Sequence, residues 1–470
     1  MNGVLKEKKE NLIKGTLIYA LGSFGSKILS FIIVPLYTFY IVPEELGQYD
    51  LLLVTVSLLY PLVSLQFTDA SYKWSVDDKE NQPKYFFLTY WILGISSIIT
   101  TCIILILGRY FLGLKASIYL ILMLLSQVWF TSLQRLLRVN YNQKKFVISG
   151  LIQSFSFLIL IVALVCFLKK GLDGLCISYT LSQVIPIVYV LTDKALRKIK
   201  SCFDKELMRK MILFAIPLVP SAMCWWMINS SDKYFIAWFV GAAGNGIYAV
   251  SSKFPTIIQT INSVFYSSWQ DVAIREKKGE ERDKLFSDTF ETYYKLSFGI
   301  ILVIIPMLHL LLPFFISDAY ASASEYMAFL FLGAVFQGFA SYFGIIYLSE
   351  NITFGATTTS FIAVVTNIIV DFALMKTLGL YAAGISTFIG FFVIFIIRLK
   401  DTAKYVNMKI NKFQFMILFL ISLMTTIINS FNNVFLEIGT FVVGGCIFVV
   451  VNYQTIIVCY KKIAVKIFKK

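Results

Sequence analysis

Histidine is almost absent: the 470 residues contain one, His309. A zinc site draws on several nitrogen, sulfur or carboxylate ligands, so one imidazole argues against a metal centre or a histidine-based triad. No metal, no cofactor and no catalytic residue is therefore expected. The seven cysteines show no CxxC or CxxxC spacing, and all but Cys202 lie in apolar stretches, where they read as small buried hydrophobes. Charge is scarce as well. Charged residues make up 15% of the chain against 58% hydrophobic ones, and the mean hydropathy is +0.76. This composition excludes an ordinary soluble domain, in which about half the residues are apolar. Acidic residues are the scarcer sign, 27 against 42 Lys and Arg. The basic excess lies in loops beside long apolar runs, where it follows from the positive-inside rule, so no nucleic-acid partner is expected. A small-residue cleavage site is also missing after the basic start (Lys6, Lys8, Lys9). The first apolar stretch is long enough to read as a retained span.

What is present is a succession of apolar runs separated by short charged ones, the pattern of an all-α polytopic membrane protein. About fourteen candidate spans, each near the ~20 residues that cross a bilayer, are expected at 12–39, 46–68, 85–108, 116–137, 146–168, 174–192, 211–239, 246–270, 289–316, 324–348, 355–376, 380–398, 413–430 and 437–459. The span at 246–270 is the least apolar. Of the 42 Lys and Arg, only Arg109, Lys115, Lys169, Lys170 and Lys376 fall outside when the N-terminus is placed inside. Lys27, Lys233, Lys253 and Lys295 fall within spans. The remainder, including the runs 194–210, 275–284, 398–412 and 461–470, fall inside, which places both termini in the cytoplasm. All outer loops are very short.

Two halves are legible. GQYDLLLV (47–54) after the first span is echoed by GIYAVSSK (246–253) after the seventh, and GLDGLCIS (171–178) by GLYAAGIS (379–386). A six-span offset preserves orientation, so the halves form parallel repeats with a substrate site between them. The expected organisation is a lobe at 1–193 (spans 1–6), a basic cytoplasmic linker at 194–210, a second lobe at 211–400 (spans 7–12), and spans 13–14 with a basic tail at 401–470.

Polar residues line up at helical spacing in four spans. Span 1 carries Thr16, Tyr19, Ser23, Ser26, Lys27 and Ser30; span 2 carries Asp50, Ser57, Ser64, Thr68 and Ser71. Span 7 presents Trp225, Asn229, Asp232 and Ile236, with Trp226 and Lys233 beside them. A seven-residue uncharged hinge (240–246) separates it from span 8, which carries Ser252, Thr256, Gln259, Ser263, Tyr266 and Gln270 after Lys253. A charge near the bilayer centre costs roughly 2.5–3.5 kcal/mol on insertion scales, so such residues face protein or water. Small hydroxyl residues also serve close helix packing, but that does not account for Lys27, which lies about 20 Å beyond Lys14 at ~1.5 Å rise per residue. Spans 1, 2, 7 and 8 are thus expected to face one hydrated cavity. Its lysines suit an anionic group, and its aromatic faces and hydroxyls suit sugars. Asp232 beside Lys233, and Asp50, read equally as structural ion pairs. Asp371 is a possible proton or cation site, and Lys295 is expected to snorkel inward. Pro35, Pro61, Pro217, Pro220 and Pro255 in or at the ends of these spans permit bending. Asp77-Asp78, in YKWSVDDKEN, reads as a solvated loop.

The stretch NLIKGTLIYALGSFGSKILSFIIVPLYTFYIVPEELGQYDL (11–51) and the pattern INSSDKYFIAWFVGAAGNGIYAVSSKF (228–254) resemble the polysaccharide transporter (Wzx-type oligosaccharide flippase) family of the MOP superfamily, which also holds the MATE multidrug exporters and the lipid II flippase. The resemblance covers essentially the whole chain. It implies a V-shaped, two-lobed bundle that moves undecaprenyl-pyrophosphate-linked oligosaccharide, such as an O-antigen repeat unit of lipopolysaccharide, from the inner to the outer leaflet. It further implies a cationic cavity lined by spans 1, 2, 7 and 8, with Lys27 at the family's basic position and Asp232, Lys233 and Lys253 in its second-half motif. Together with the stripes, this makes Lys27, Asp50, Trp225, Asn229, Asp232, Lys233, Lys253, Gln259 and Tyr266 the expected substrate-binding residues. Lysines stand where the lipid II flippase has arginines, which argues against lipid II itself as cargo. Spans 13 and 14 form a lipid-tail groove in related flippases. The implied partners are the lipid-linked oligosaccharide, membrane lipids, a coupling ion (H⁺ or Na⁺) and other polysaccharide-assembly proteins. A cation-coupled exporter would favour carboxylates over lysines in its cavity. A membrane-embedded glycan polymerase would need acid/base residues outside the bilayer, and the outer loops leave no room for them.

Overall fold

The computed structural model describes residues 31–78, 80–139, 143–193, 203–276, 278–350, 353–431 and 433–468. In hydrocarbon every backbone N–H and C=O must be paired within the chain, and an uninterrupted apolar run does this as a helix. The described residues accordingly contain helices and no strand. Among the described residues twelve helical segments are long and apolar enough to cross a membrane, and they match expected spans 2–7 and 9–14. Their outer faces carry Ile98 at 67% exposure, Phe372 at 64% and Val450 at 76%. Apolar surface on this scale is a liability in water and suits lipid contact.

The chain forms two compact units, Met1–Ser230 and Ser231–Lys470. The first contains α1 (Phe31–Tyr40), α2 (Pro43–Ser64), α3 (Phe67–Asp77), α4 (Gln82–Phe111), α5 (Leu114–Val139), α6 (Gln143–Ile161) running into a π-turn (Val162–Phe167), α7 (Gly171–Val190), α8 (Lys205–Ala215) and α9 (Leu218–Ser230). Helix α5 is its core, packed on α2, α4 and α7, with Met123, Leu124 and Val128 fully buried. The turn into α7 is tight. Gly171 sits at φ +50°, and a Cβ there would run into the Glu45 carboxylate at the start of α2.

The second unit contains α10 (Asp232–Phe239), α11 (Ala242–Ser251), α12 (Thr256–Arg275), α13 (Glu280–Leu311), α14 (Ala323–Ser349), α15 (Thr353–Leu378), α16 (Leu380–Thr402), α17 (Lys412–Asn429) and α18 (Val434–Phe468). Helix α14 is central and packs on α11, α12, α13, α16 and α17. Its Phe336 and Phe339 meet Phe298 of α13 and Phe395 of α16 at ring-centroid distances of 5.4–6.1 Å. Rings of this size bury large apolar area in edge-to-face geometry.

Several expected spans are interrupted. Span 2 ends at Ser64, one turn after Pro61, and Leu65 and Gln66 adopt positive φ before α3 begins. Thr68 and Ser71 therefore belong to α3 and do not continue the α2 stripe. Span 7 is three helices: Pro217, which has no N–H to donate, separates α8 from α9, and Ser231 separates α9 from α10. The expected hinge shortens to Val240–Gly241, because Gly241 takes φ +103° and α11 begins at once. Span 8 is broken between Ser251 and Thr256, with Pro255 opening α12. Arg398, assigned above to a charged inner run, lies inside α16 and is 4% exposed. Of the expected linker, 194–202 lie outside the described residues. Asp204 then caps α8, accepting from Glu206 N and Leu207 N at 3.1 Å; an aspartate at this position satisfies donors that the first turn leaves unpaired. Asp78 is engaged by Asn81 Nδ2 at 2.8 Å in the turn into α4. Lys295 pairs with Glu291 at 2.5 Å.

Candidate functional site

Lys27 and the rest of the span 1 stripe lie outside the described residues. In the first unit, Asp50 is buried on α2 at 4% exposure. Trp226, not Trp225, is the docked indole: its Nε1 donates to Val54 O at 3.1 Å and to Ser57 Oγ at 3.0 Å, tying α9 to α2. Trp225 is 40% exposed, and Asn229, also exposed, turns its Nδ2 to Trp225 O at 2.7 Å.

In the second unit α12 has two faces. Its docked face holds Ile258, Asn262, Phe265 and Trp269. Asn262 Nδ2 donates to Ala334 O at 2.8 Å and its Oδ1 accepts from Tyr293 Oη at 2.8 Å. Phe265 stacks on Tyr293 at 4.1 Å and Trp269 on Tyr342 at 4.6 Å. The opposite face holds part of the expected stripe, with Gln259 and Ser263 exposed and Tyr266 half-buried, and Ser267, not in that stripe, is exposed beside them. Ser263 and Ser267 direct their protons to backbone carbonyls one turn back, Thr260 O at 2.8 Å and Ser263 O at 2.9 Å. Their lone pairs remain to accept from a ligand's hydroxyls. Lys253, half-buried, follows the C-terminal end of α11.

The most elaborate polar cluster was only partly visible beforehand. Asp232, at the start of α10, is 4% exposed. It accepts from Lys233 N at 3.0 Å and from the buried Tyr248 hydroxyl of α11. Asp371 of α15 is fully buried, its Oδ1 2.6 Å from Ser386 Oγ of α16. Ser386 Oγ also lies 3.0 Å from Ala383 O and accepts from Asn367 Nδ2 at 3.3 Å. Ser231 Oγ donates to Asn367 Oδ1 at 3.3 Å. Ile236, Leu330, Met375 and Leu380 share an apolar cluster with Tyr248. Asp371 Oδ2 has no hydrogen-bond partner among the described residues. A buried carboxyl oxygen left over in this way calls for an explanation.

Of the expected residues, the structure places Asp232 and Lys233 at this cluster, Gln259 and Tyr266 on the open α12 face, and Asp50, Trp225 and Asn229 in the first unit. Tyr248, Asn367 and Ser386 were missed as site residues. Tyr248 and Ser386 belong to the repeated motifs, and Asn367 stands one helical turn before Asp371, so both signals were present. The motifs also meet in space. Helix α2 packs on α7, and Tyr248 packs with Leu380, Ala382 and Ala383.

A family model described as polysaccharide biosynthesis protein matches residues 12–270. Among solved structures, the fold is similar to that of the lipid II flippase MurJ in an inward closed conformation. The identity is 15% and the TM-score 0.70, over 94% of this chain and 100% of that one. It is also similar to an inward-facing multidrug resistance MATE family transporter of the MOP superfamily, with 13% identity, TM-score 0.61, and coverage of 80% and 95%. A MATE transporter of Vibrio cholerae, VcmN in a mutant form, gives 13% identity, TM-score 0.57, and coverage of 84% and 97%. At these identities the likeness is one of fold. Comparison with curated proteins gives no match.

Proposed function

We propose, since this chain belongs to the polysaccharide biosynthesis protein family, that it is a transporter and not an enzyme: a flippase for polyprenyl-pyrophosphate-linked oligosaccharide. It moves a surface-polysaccharide repeat unit from the cytoplasmic to the outer leaflet of the inner membrane by alternating access, with both termini cytoplasmic. The observation that carries the reading is α12. One face is fastened by Asn262, Phe265 and Trp269, while the other leaves Gln259, Ser263 and Tyr266 open in an otherwise apolar protein. Hydroxyl acceptors beside an aromatic ring suit sugars. Lys27, Lys233 and Lys253 attract the pyrophosphate, and Asp50, Trp225 and Asn229 complete the contacts. Asp232 we assign instead, with Asp371, to the coupling ion, H⁺ or Na⁺.

The test is complementation of a bacterial strain that lacks its own surface-polysaccharide flippase and carries the native glycan pathway. Wild type restores surface polysaccharide; Lys27→Ala restores none and still reaches the membrane, because it removes a charge and not a packing group. Lys233→Arg is expected to retain most activity and Lys233→Glu to lose it, since only the second reverses the charge. Equal activity of the two would remove the anion from this position. The same carboxylate pair would also serve a cation-coupled exporter. Raised resistance to cationic dyes, with no polysaccharide restored, would favour that reading.

A further inference from the structure

His309, the chain's single histidine, is 3% exposed near the C-terminal end of α13. Its Nδ1 faces Glu437 Oε1 at 3.6 Å. Glu437 stands in the first turn of α18 and is 5% exposed. The other ring nitrogen, Nε2, makes no hydrogen bond of normal geometry among the described residues, and the Ser324 backbone is a further polar neighbour of the ring. The two helices are otherwise joined by close packing. A Cβ at Gly299 would meet Phe448, one at Gly444 would meet the Leu302 backbone, and Asn452 Nδ2 donates to Lys295 O at 3.2 Å. His309 and Glu437 are thus the titratable pair of an apolar seam.

Among the described residues no other ionisable group is a partner of either. On α14, Glu325 accepts from Tyr381 Oη at 3.1 Å. The turn before it carries Asp318 and Tyr320. Helix α17 has Lys412 alone, at its opposite end. On α13, Lys295 and Glu291 pair with each other four turns away. On α18 the next titratable residues are Cys446 and Tyr453.

We infer that His309 and Glu437 bind one proton between them, and that this shared proton sets how tightly α18 is docked on α13. With one proton the pair is neutral overall, whether as imidazolium and carboxylate or as imidazole and carboxylic acid. Removing it leaves a lone carboxylate in the seam, and adding a second leaves a lone imidazolium; an unpaired buried charge is costly either way. An undocked pair titrates near its ordinary values, about 4.3 for Glu and 6.5 for His. Above ~6.5 the undocked pair holds no proton, so docking takes one up and weakens as pH rises. Below ~4.3 the undocked pair holds two, so docking releases one and weakens as pH falls.

A single histidine allows a clean measurement. Full-length protein labelled with ¹³C at histidine Cε1 and held in nanodiscs gives one imidazole signal, that of His309. The Glu437→Gln variant is expected to lower its titration midpoint by about 1 pH unit or more, tenfold in proton affinity, because the carboxylate that favours imidazolium is gone. Amide exchange in α18, corrected for its intrinsic pH dependence, is expected to accelerate between pH 6.5 and 8.5 in wild type. It should stay level in Glu437→Gln and in the uncharged His309→Gln/Glu437→Gln double variant. Identical midpoints in wild type and Glu437→Gln would overturn the inference. So would a wild-type α18 whose corrected exchange does not change with pH, a result that needs no variant to fold.

Discussion

The Asp371→Asn variant is expected to reach the membrane at wild-type abundance and to restore no surface polysaccharide. Asparagine keeps the shape of the side chain and the oxygen that meets Ser386 Oγ, 2.6 Å away in the wild type. What it removes is the ability to take up a proton or neutralise a cation. Stability should hold to within about 1–3 kcal/mol. The amide places a donor where Asp371 Oδ2 has no partner among the described residues, a cost of that order, offset by removal of a carboxyl group whose buried charge is itself unfavourable. Asp232→Asn is expected to give the same phenotype, because its carboxylate, held by Tyr248 and Lys233 N, is the other half of the proposed coupling-ion pair. The double variant should be no worse than either single one, since groups that act as a unit do not add. Polysaccharide export at the wild-type level from Asp371→Asn would separate the carboxylate pair from the transport cycle. A variant missing from the membrane would make Asp371 a folding residue instead.

How much of this was legible depends on which physical rule governs each feature. Spans could be read because lipid tolerates few alternatives to a helix of about twenty apolar residues. The breaks within them were harder. Pro217 and Pro255 marked two, but the positive φ of Leu65 and Gln66 has no residue signature, since neither is glycine. Gly241 did carry one, and the uncharged stretch around it concealed where the turn falls. The α12 stripe at Gln259, Ser263 and Tyr266 followed from helical spacing, and its opposite face proved to be the docked one. The Asp232–Asp371 cluster draws on four helices, and no local pattern reports such a convergence; Asp371 stood out only because a carboxylate in a span is expensive. Arg398 was hidden by its neighbours. Lys400, Asp401 and Lys404 follow it closely enough for the four to look like one solvated run.

Arg398→Met is expected to destabilise the second unit by about 1–3 kcal/mol, the cost of leaving buried hydrogen-bond partners unsatisfied. The guanidinium of α16 donates from Nε to Thr359 Oγ1 at 3.0 Å, from one terminal nitrogen to Ala340 O at 2.7 Å, and from the other to Ser360 Oγ at 3.1 Å. One side chain therefore fastens α16 to α14 and α15, with hydrogen bonds that contribute about 1.5–3 kcal/mol each when one partner is charged. Methionine fills similar volume but leaves the Ala340 carbonyl and two hydroxyls to find other partners. Arg398→Lys should recover only part of the loss, because an ammonium lacks the planar fork that reaches three acceptors on two helices. The seat of this group is Gly344, where an added Cβ would come within 2.5 Å of the Arg398 Nη1. Gly344→Ala should thus cost about 1–3 kcal/mol in the wild type through overpacking, and clearly less in an Arg398→Met background, where the flexible thioether can yield. The coupling between the two sites, read from thermal unfolding of the four proteins in detergent, is the discriminating quantity. Simple additivity would show that Gly344 is confined by something other than the guanidinium, and the three-helix fastening would then rest on Arg398 without its glycine seat.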